Sequence, residues 1–253
     1  MPSLREFVKS FAILILGRES KPRRILWGLP SGFRINVSPM DHLGYLLGTT
    51  EPHLQRAIRK YVAAGDAVYD IGANIGFVSL SLSKQVGLNG RVVAFEPVAK
   101  NADRLRENIK LNHIANIHVL ECAASDRRGE AVIRVSENLS TASLVWHKQD
   151  PRAVELTIKT VAIDNLVEAC EIPKPQFVKI DVEGAEGLAL VGMQRTIATA
   201  RPVVFIECSD AGRETAWRLL TSLGYGCQSA ITGSSVTAFD DYRHSDFLWL
   251  PAS

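Results

Sequence analysis

The sequence predicts an α/β fold in which a parallel β-sheet is covered by helices. Between Val68 and Cys122, short apolar runs alternate with helical patterns in the order β-α-β-α-β, which requires crossovers that bring each strand back parallel to the last. The first strand–helix connection, Gly72-Ala73-Asn74-Ile75-Gly76, is short and holds two glycines. Acids stand at or near the ends of apolar runs, at Asp70, Glu96, Asp181 and Glu207, the end of the sheet where ligands collect in such folds.

Taken in order, Arg24 to Val37 carries the turn cluster Gly28-Leu29-Pro30-Ser31-Gly32 between two apolar runs and reads as a β-hairpin. Glu51-Pro52 opens a helix. Its apolar face is Leu54, Ala57, Ile58, Tyr61 and Val62, and Gly65 stops it. Val68 to Ile71 is a buried strand, followed by a helix from Ile75 to Val86 that Gly87 and Asn89-Gly90 break. Val92 to Glu96 is the second strand. Val98, Ala102, Leu105 and Ile109 mark a helix with a charged outer face, and Ile117 to Cys122 is the third strand.

The pattern then changes. Ser125 to Gly129 is a turn and Ala131 to Val135 a short strand, together a hairpin. Ser136 to Arg152 is polar and contains Ser140-Thr141-Ala142-Ser143, Trp146 and His147. It reads equally as a lid or as a surface excursion. Leu156 and Ile158 alternate with polar residues as in an antiparallel strand, and Ile163 to Ala169 is a short helix with Asp164 at its cap. Phe177 to Val182 and Val203 to Glu207 are the fourth and fifth core strands. Gly187 to Ala198 and Gly212 to Leu223 are helical, and Tyr225 to Ala230 and Phe247 to Leu250 close the sheet.

The 253 residues, 46% hydrophobic and 22% charged, suffice for one large core. A net charge of +2 and 7% aromatic residues offer no basis for nucleic-acid binding. Cys122, Cys170, Cys208 and Cys227 form no C-x-x-C pair. This argues against zinc and a disulfide framework and for a reducing, cytoplasmic compartment. Phe11 to Leu16 is too short to span a bilayer and lacks a small-residue cleavage site. Leu4, Phe7, Val8 and Phe11 share a helical face, flanked by Lys9, Arg18, Lys21, Arg23 and Arg24. The favoured reading is a segment that packs on the domain or a second subunit. The other is peripheral contact with the inner face of an anionic membrane. Residues 1–44 read as an extension and 45–253 as the main domain.

The glycine loop narrows the ligand. Its Gly-x-x-x-Gly spacing does not meet the dinucleotide fingerprint, and it lacks the lysine and hydroxyl of a phosphate-binding P-loop. Gly72 lets a ligand approach the backbone and Gly76 lets the helix start pack closely. Glu96 falls roughly 20 residues on, where an acid commonly takes ribose hydroxyls. Two acids beside an open loop suit a cationic ligand with a ribose, which S-adenosylmethionine is. The expected cofactor ligands are Asp70, Gly72, Ala73, Asn74, Gly76 and Glu96.

Val68 to Phe77, together with Phe95-Glu96-Pro97, resembles motifs one and two of class I S-adenosylmethionine-dependent methyltransferases. Lys179-Ile180-Asp181-Val182-Glu183-Gly184-Ala185-Glu186 resembles the hallmark of the FkbM family within that class, and the likeness runs from about Trp27 to the C-terminus. It implies a Rossmann-like fold with a mostly parallel seven-stranded sheet, its last strand antiparallel, helices on both faces and a small N-terminal helix and hairpin extension. It also implies O-methylation of a hydroxyl on a sugar, polysaccharide or polyketide-like small molecule. Class I enzymes contact adenine after the third strand, here at Cys122-Ala123. Many have an acid there, and this chain does not, so Ala123 and nearby Asp126 complete the cofactor set.

Three places offer acids for chemistry: Asp181 with Glu183 and Glu186, Glu207 with Asp210, and Glu51 upstream. Asp181 is the candidate catalytic residue, placed by a rigid strand to serve both the cofactor and the acceptor. Lys179 is expected to face away from it. Asp181 and Glu207 could hold a divalent cation through oxygen ligands, but the expectation is a site without metal. His42, His53 and His147 read as surface or capping residues, with His53 or His147 a general base only where its loop folds over the site. The rival functions are an NAD-dependent oxidoreductase, disfavoured by the missing central glycine, and a non-catalytic cofactor-binding or membrane-associated scaffold.

Overall fold

A computed structural model of the chain describes residues 17–135, 154–182, 184–208, 210–239 and 245–252. The expected apolar segment at Leu4 to Leu16, the polar stretch at Ser136 to Arg152 with Trp146 and His147, and Glu183 lie outside the described residues.

Strands β1 (Lys21–Arg24) and β2 (Arg34–Val37) pair antiparallel as the expected hairpin. Helix α1 (Pro39–Leu47) follows, started by Pro39 in its first turn and by the Ser38 hydroxyl, which accepts from the Met40 amide at 3.2 Å. Helix α2 (Pro52–Tyr61) buries Leu54, Ala57 and Ile58, and its chain turns away at Val62, before Gly65. Then come β3 (Ala67–Ile71), α3 (Phe77–Val86), β4 (Arg91–Phe95), α4 (Ala99–Leu111) and β5 (Ile117–Leu120). The short β6 (Ala123–Ala124) precedes β7 (Gly129–Val135) and β8 (Val154–Val161). The second half holds α5 (Ile163–Glu168), β9 (Phe177–Ile180), α6 (Glu186–Val191), α7 (Gln194–Ala200), β10 (Val203–Glu207) and α8 (Asp210–Ser222), then β11 (Tyr225–Ser229), β12 (Ser235–Val236) and β13 (Asp246–Pro251).

Eight strands form the main sheet in the order β12-β11-β13-β10-β9-β3-β4-β5. Seven of them reproduce the expected sheet, with β13 antiparallel to β10, and the two-residue β12 adds an eighth. The run after β5 departs from a simple hairpin. β7 pairs antiparallel with β8, and β6 joins β8 in parallel, making a separate three-stranded sheet. The helix expected over 187–198 is two, α6 and α7, separated at Gly192 and Met193. Asp164 does not cap its own helix. Its carboxylate accepts from the amides of Arg195 and Thr196 at 3.0 and 2.7 Å and so caps α7.

Two physical features place the cleft. The chain runs β3 to β5 toward one edge and returns through β9 and β10 toward the other, so the switch point lies between β3 and β9. The register pairs Ile71 with both Phe95 and Ile180, so Gly72, Glu96 and Asp181 leave the sheet side by side. The core around them buries Tyr69, Ile71, Phe95, Ile180 and Ile206 completely, and each such aliphatic or aromatic side chain contributes about 1.5–3 kcal/mol.

The N-terminal extension is no loose appendage. Ile25, Ile35, Val37 and Leu46 share one apolar cluster with Ile75, Phe77 and Leu80 of the main domain. Asn108 of α4 and Asn112 at its C-cap dock the hairpin. Asn108 Oδ1 accepts from the Asn36 amide at 2.7 Å while its Nδ2 donates to the Ile75 carbonyl at 2.8 Å. Asn112 bonds both the amide and the carbonyl of Arg34, at 2.6 and 2.7 Å. A division at residue 44 falls inside α1.

Candidate active site

An open cleft enclosing about 900 Å³ of empty space, part of it solvent, lies over the carboxyl ends of β3, β4 and β9. Of the expected cofactor residues, Gly72, Ala73, Asn74, Glu96, Ala123 and Asp181 line it. Asp70, Gly76 and Asp126 do not.

Asp70 is fully buried beneath the loop, because it lies on the sheet before the chain turns outward. Its Oδ2 accepts from the Ser79 hydroxyl at 2.5 Å, and its Oδ1 lies 3.2 Å from the Lys179 ammonium. The Lys179 Nζ also lies 3.5 Å from Asp181 Oδ2 and donates to the Gly72 carbonyl at 2.8 Å. Lys179 and Asp181 therefore face the same side. They are two residues apart, and positions two apart along an extended chain share a face, so the expected opposition was a misapplied alternation. Burial works against the Lys179 charge, but Asp70 and Asp181 outweigh it and hold the ammonium above the ordinary lysine value. One buried cation thus ties the end of β9, the end of β3 and the glycine loop together.

The glycines serve the protein more than the ligand. Gly72 has φ 82°, and a Cβ there would collide with the Asp181 carbonyl oxygen. Its bareness lets two strand ends approach each other. Gly76, at φ 97°, leaves room for the Leu105 side chain of α4. The loop is braced further by Glu96, which is nearly fully buried. Its Oε2 accepts from the Asn74 amide at 2.8 Å, and its Oε1 accepts from the Val98 amide at 3.0 Å. Burial pushes the Glu96 carboxyl up, against the lowering effect of those two amides.

The opposite wall comes from the N-terminal region. Tyr45 of α1 stacks on Phe77 with ring centroids 4.7 Å apart, and burial pushes its phenol up to about 12. Thr50 and Glu51 line the cleft from the turn before α2. Glu51 sits at φ 51° and ψ 52°, left-handed backbone that a non-glycine residue seldom adopts, and its side chain makes no capping bond to α2. Gln55 pins the turn. It donates to the carbonyls of Gly48 and Thr50 at 3.1 and 2.6 Å and accepts from the Leu29 amide at 2.8 Å. Burial, then the nearby Asp181 charge, push the Glu51 carboxyl up.

Tyr45 and Thr50 were not anticipated as site residues, and Glu51 was no more than an upstream acid. Their signal was the Glu51-Pro52 helix start, which puts a carboxylate just outside a helix end without saying where that end points. Among the other acids, Glu186 is fully buried, with its Oε1 bonded to the Gly184 amide. His42 makes a tilted ring contact with Tyr45, and His53 Nδ1 lies 2.5 Å from the Arg56 guanidinium. The four cysteines are free thiols, with Cys208 and Cys227 buried, Cys122 half-buried and Cys170 exposed. Among the described residues no group of three metal-ligating side chains gathers, and no helix is long and apolar enough to cross a membrane.

Chemically, the cleft favours a cation. Glu51, Glu96 and Asp181 line it, and among its described lining residues the one lysine or arginine is Lys179, already shared by two carboxylates. Anionic phosphates would meet like charge here, whereas a sulfonium and an ammonium would not.

Comparison with known proteins gives the family. The Methyltransferase FkbM domain matches residues 70–234, a span that holds the glycine loop, Glu96, Lys179 and Asp181. A hexuronic acid methyltransferase, AglP, from Haloferax volcanii is 32% identical over 165 residues, covering 61% of this chain and 61% of that protein. A protein-L-isoaspartate O-methyltransferase from Caenorhabditis elegans is 26% identical over 77 residues, 29% of this chain and 34% of its own. The chain therefore spans less than two thirds of the length of either relative. The crystal structure of an FkbM methyltransferase from Methylobacillus flagellatus is similar with a TM-score of 0.46 at 22% identity, covering 84% of this chain and 53% of that one.

Proposed function

The chain belongs to the FkbM methyltransferase family, and from that premise we propose that it transfers a methyl group from S-adenosylmethionine to a hydroxyl oxygen on a sugar-like acceptor. When bound, this cofactor supplies an electrophilic methyl group on a sulfonium. The observation that carries the reading is the convergence of the matched motifs on one cleft whose lining is acidic. The hexuronic acid methyltransferase relative supports a glycan or small-molecule acceptor.

The residues divide the work. Glu96 takes the ribose hydroxyls with the lone pairs its two amide bonds leave free. Gly72, Ala73 and Asn74 present backbone to the ligand, and Ala123 offers an uncharged wall on the adenine side. Asp181, held in place by Lys179, faces the cationic methionine end and orients the acceptor, with no metal required. Alignment of the acceptor oxygen with the methyl carbon is itself a large part of such catalysis.

Calorimetric titration with S-adenosylmethionine and with NAD, followed by labelled methyl transfer to a panel of hexose and hexuronic acid glycosides, tests the proposal. Binding of the first ligand but not the second, with label on a glycoside oxygen, is expected. Binding of NAD alone would overturn it.

A further inference from the structure

Resting on the methyltransferase reading, we infer that Glu51 is the general base that takes the proton from the acceptor hydroxyl. Four observations on the N-terminal wall converge. Glu51 lines the cleft from the turn before α2, across from the strand ends that carry Asp181 and Lys179. Its backbone is left-handed at φ 51°, a conformation costly for a residue with a Cβ, as is that of Asn74 in the glycine loop at φ 49°. Its side chain makes no capping bond to α2, so the carboxylate is not engaged by the helix it precedes. Among the described residues its carboxylate has no hydrogen-bond partner, whereas Asp70, Glu96, Asp164 and Glu186 all accept bonds.

The charged surroundings fit the role. Lys179 of β9, Asp181 just past its end and Asp246 of β13 act on Glu51, and Glu51 in turn acts on Tyr45 of α1. Burial and the like charges of Asp181 and Asp246 raise its proton affinity, and Lys179 lowers it less. Asp181 by contrast has an ion-pair partner, Lys179, 3.5 Å away. The two carboxyls of the cleft thus differ in geometry: Asp181 is held by an ion pair with Lys179, whereas no ion pair or hydrogen bond among the described residues holds the Glu51 carboxylate.

The reaction balances without a metal or oxidant. The acceptor O–H bond breaks and its proton passes to the Glu51 carboxylate. The freed electron pair forms the bond from oxygen to the methyl carbon. The bond from that carbon to sulfur breaks, and its electrons remain on sulfur as a neutral thioether. Glu51 then returns its proton to water.

Glu51→Gln tests this by three readouts on the full chain. An uncompensated carboxylate destabilises the fold, so the variant should melt roughly 2–4 °C higher than the wild type at pH 7.5. The gap should close as pH falls through the raised Glu51 value, since the protonated acid and glutamine are both neutral. S-adenosylmethionine affinity, by calorimetry, should stay within twofold. Methyl transfer to the glycoside the wild type uses should fall about 10²–10⁴-fold and lose its rise with pH. A lower melting temperature at pH 7.5 would make Glu51 a structural residue, and a tenfold loss of cofactor affinity would make it a cofactor ligand. Wild-type turnover in the variant would also overturn the assignment. A wild-type chain that binds no S-adenosylmethionine would overturn the underlying reading instead, whatever the melting curves show.

Discussion

The sheet side of the cleft and its N-terminal wall are built on opposite terms. On the sheet side, Asp70, Lys179, Asp181 and Glu96 are joined to one another or to the glycine loop. Asp70, Lys179 and Glu96 are buried and Asp181 is half-buried, and each has a partner that fixes its geometry. On the N-terminal wall, the Tyr45 hydroxyl and the Glu51 carboxylate have no hydrogen bond among the described residues, although Gln55 holds the turn beneath them firmly. A rigid frame with spent valences suits a cofactor that is the same in every turnover. Unsatisfied groups on a fixed turn suit a partner that has yet to arrive.

Breaking the sheet-side frame should cost most. Lys179→Met leaves Asp70 charged and buried without its cation, and removing one member of a buried pair costs about 3–5 kcal/mol. Urea unfolding should show that loss. The sign with pH follows from the raised lysine. Its stabilisation is complete below the ordinary value of 10.5 and disappears as pH rises through the raised value. The gap between wild type and variant should therefore narrow in strongly alkaline solution. A variant within 1 kcal/mol of wild type at pH 7 would show that the latch is ornamental.

Gly72→Val is the next largest. An expectation from the loop motif alone is loss of cofactor binding in a folded protein. The collision with the Asp181 carbonyl says otherwise, since overpacking and the left-handed φ together cost about 2–4 kcal/mol. Thermal melting should fall before any binding is measured. A variant that melts like the wild type yet binds no cofactor would return the glycine to its ligand-facing role.

Gln55→Ala attacks the other wall. Three hydrogen bonds disappear, and the buried Gly48 carbonyl and the half-buried Thr50 carbonyl and Leu29 amide lose their partners, at about 1–3 kcal/mol. Its sharper effect should fall on turnover, because Thr50 and Glu51 lose their support while the glycine loop does not. Unchanged cofactor affinity with a reduced kcat is the expected split. Equal losses in both would mean that the two walls are not independent.

Glu96→Gln should have the smallest stability effect of the four and a large effect on binding. Glutamine keeps one acceptor oxygen for either the Asn74 or the Val98 amide and orphans the other. The Glu96 carboxyl is raised, so its protonated form carries stability below the ordinary value of 4.5 that is lost as pH climbs through the raised value. Neutral glutamine escapes that loss, which offsets part of the damage at pH 7. Cofactor affinity should drop on the order of tenfold to a hundredfold, since charge-assisted bonds are worth about 1.5–3 kcal/mol. Unaltered affinity would show that Glu96 only braces the loop.

Much of this was legible in the chain itself. Hydrophobic period and glycine placement located the strands β3, β4, β5, β9 and β10 within a few residues, because a buried parallel strand must be continuously apolar. The run from Lys179 to Glu186, with the glycine loop, marked the family before any coordinates, by its resemblance to the FkbM hallmark. Tertiary structure decided what each polar residue touches. Asp70 reads as a ligand in the sequence and is a buried counterion in the fold. Asp164 reads as the cap of its own helix and caps another. Glu51 lies about 130 residues from Asp181 along the chain, and the packing of the hairpin, α1 and α2 on the main domain brings both to one cleft. Local sequence carries the period that makes a strand or a helix. Which side chains meet across the cleft depends on contacts between distant segments, and no short-range pattern encodes those.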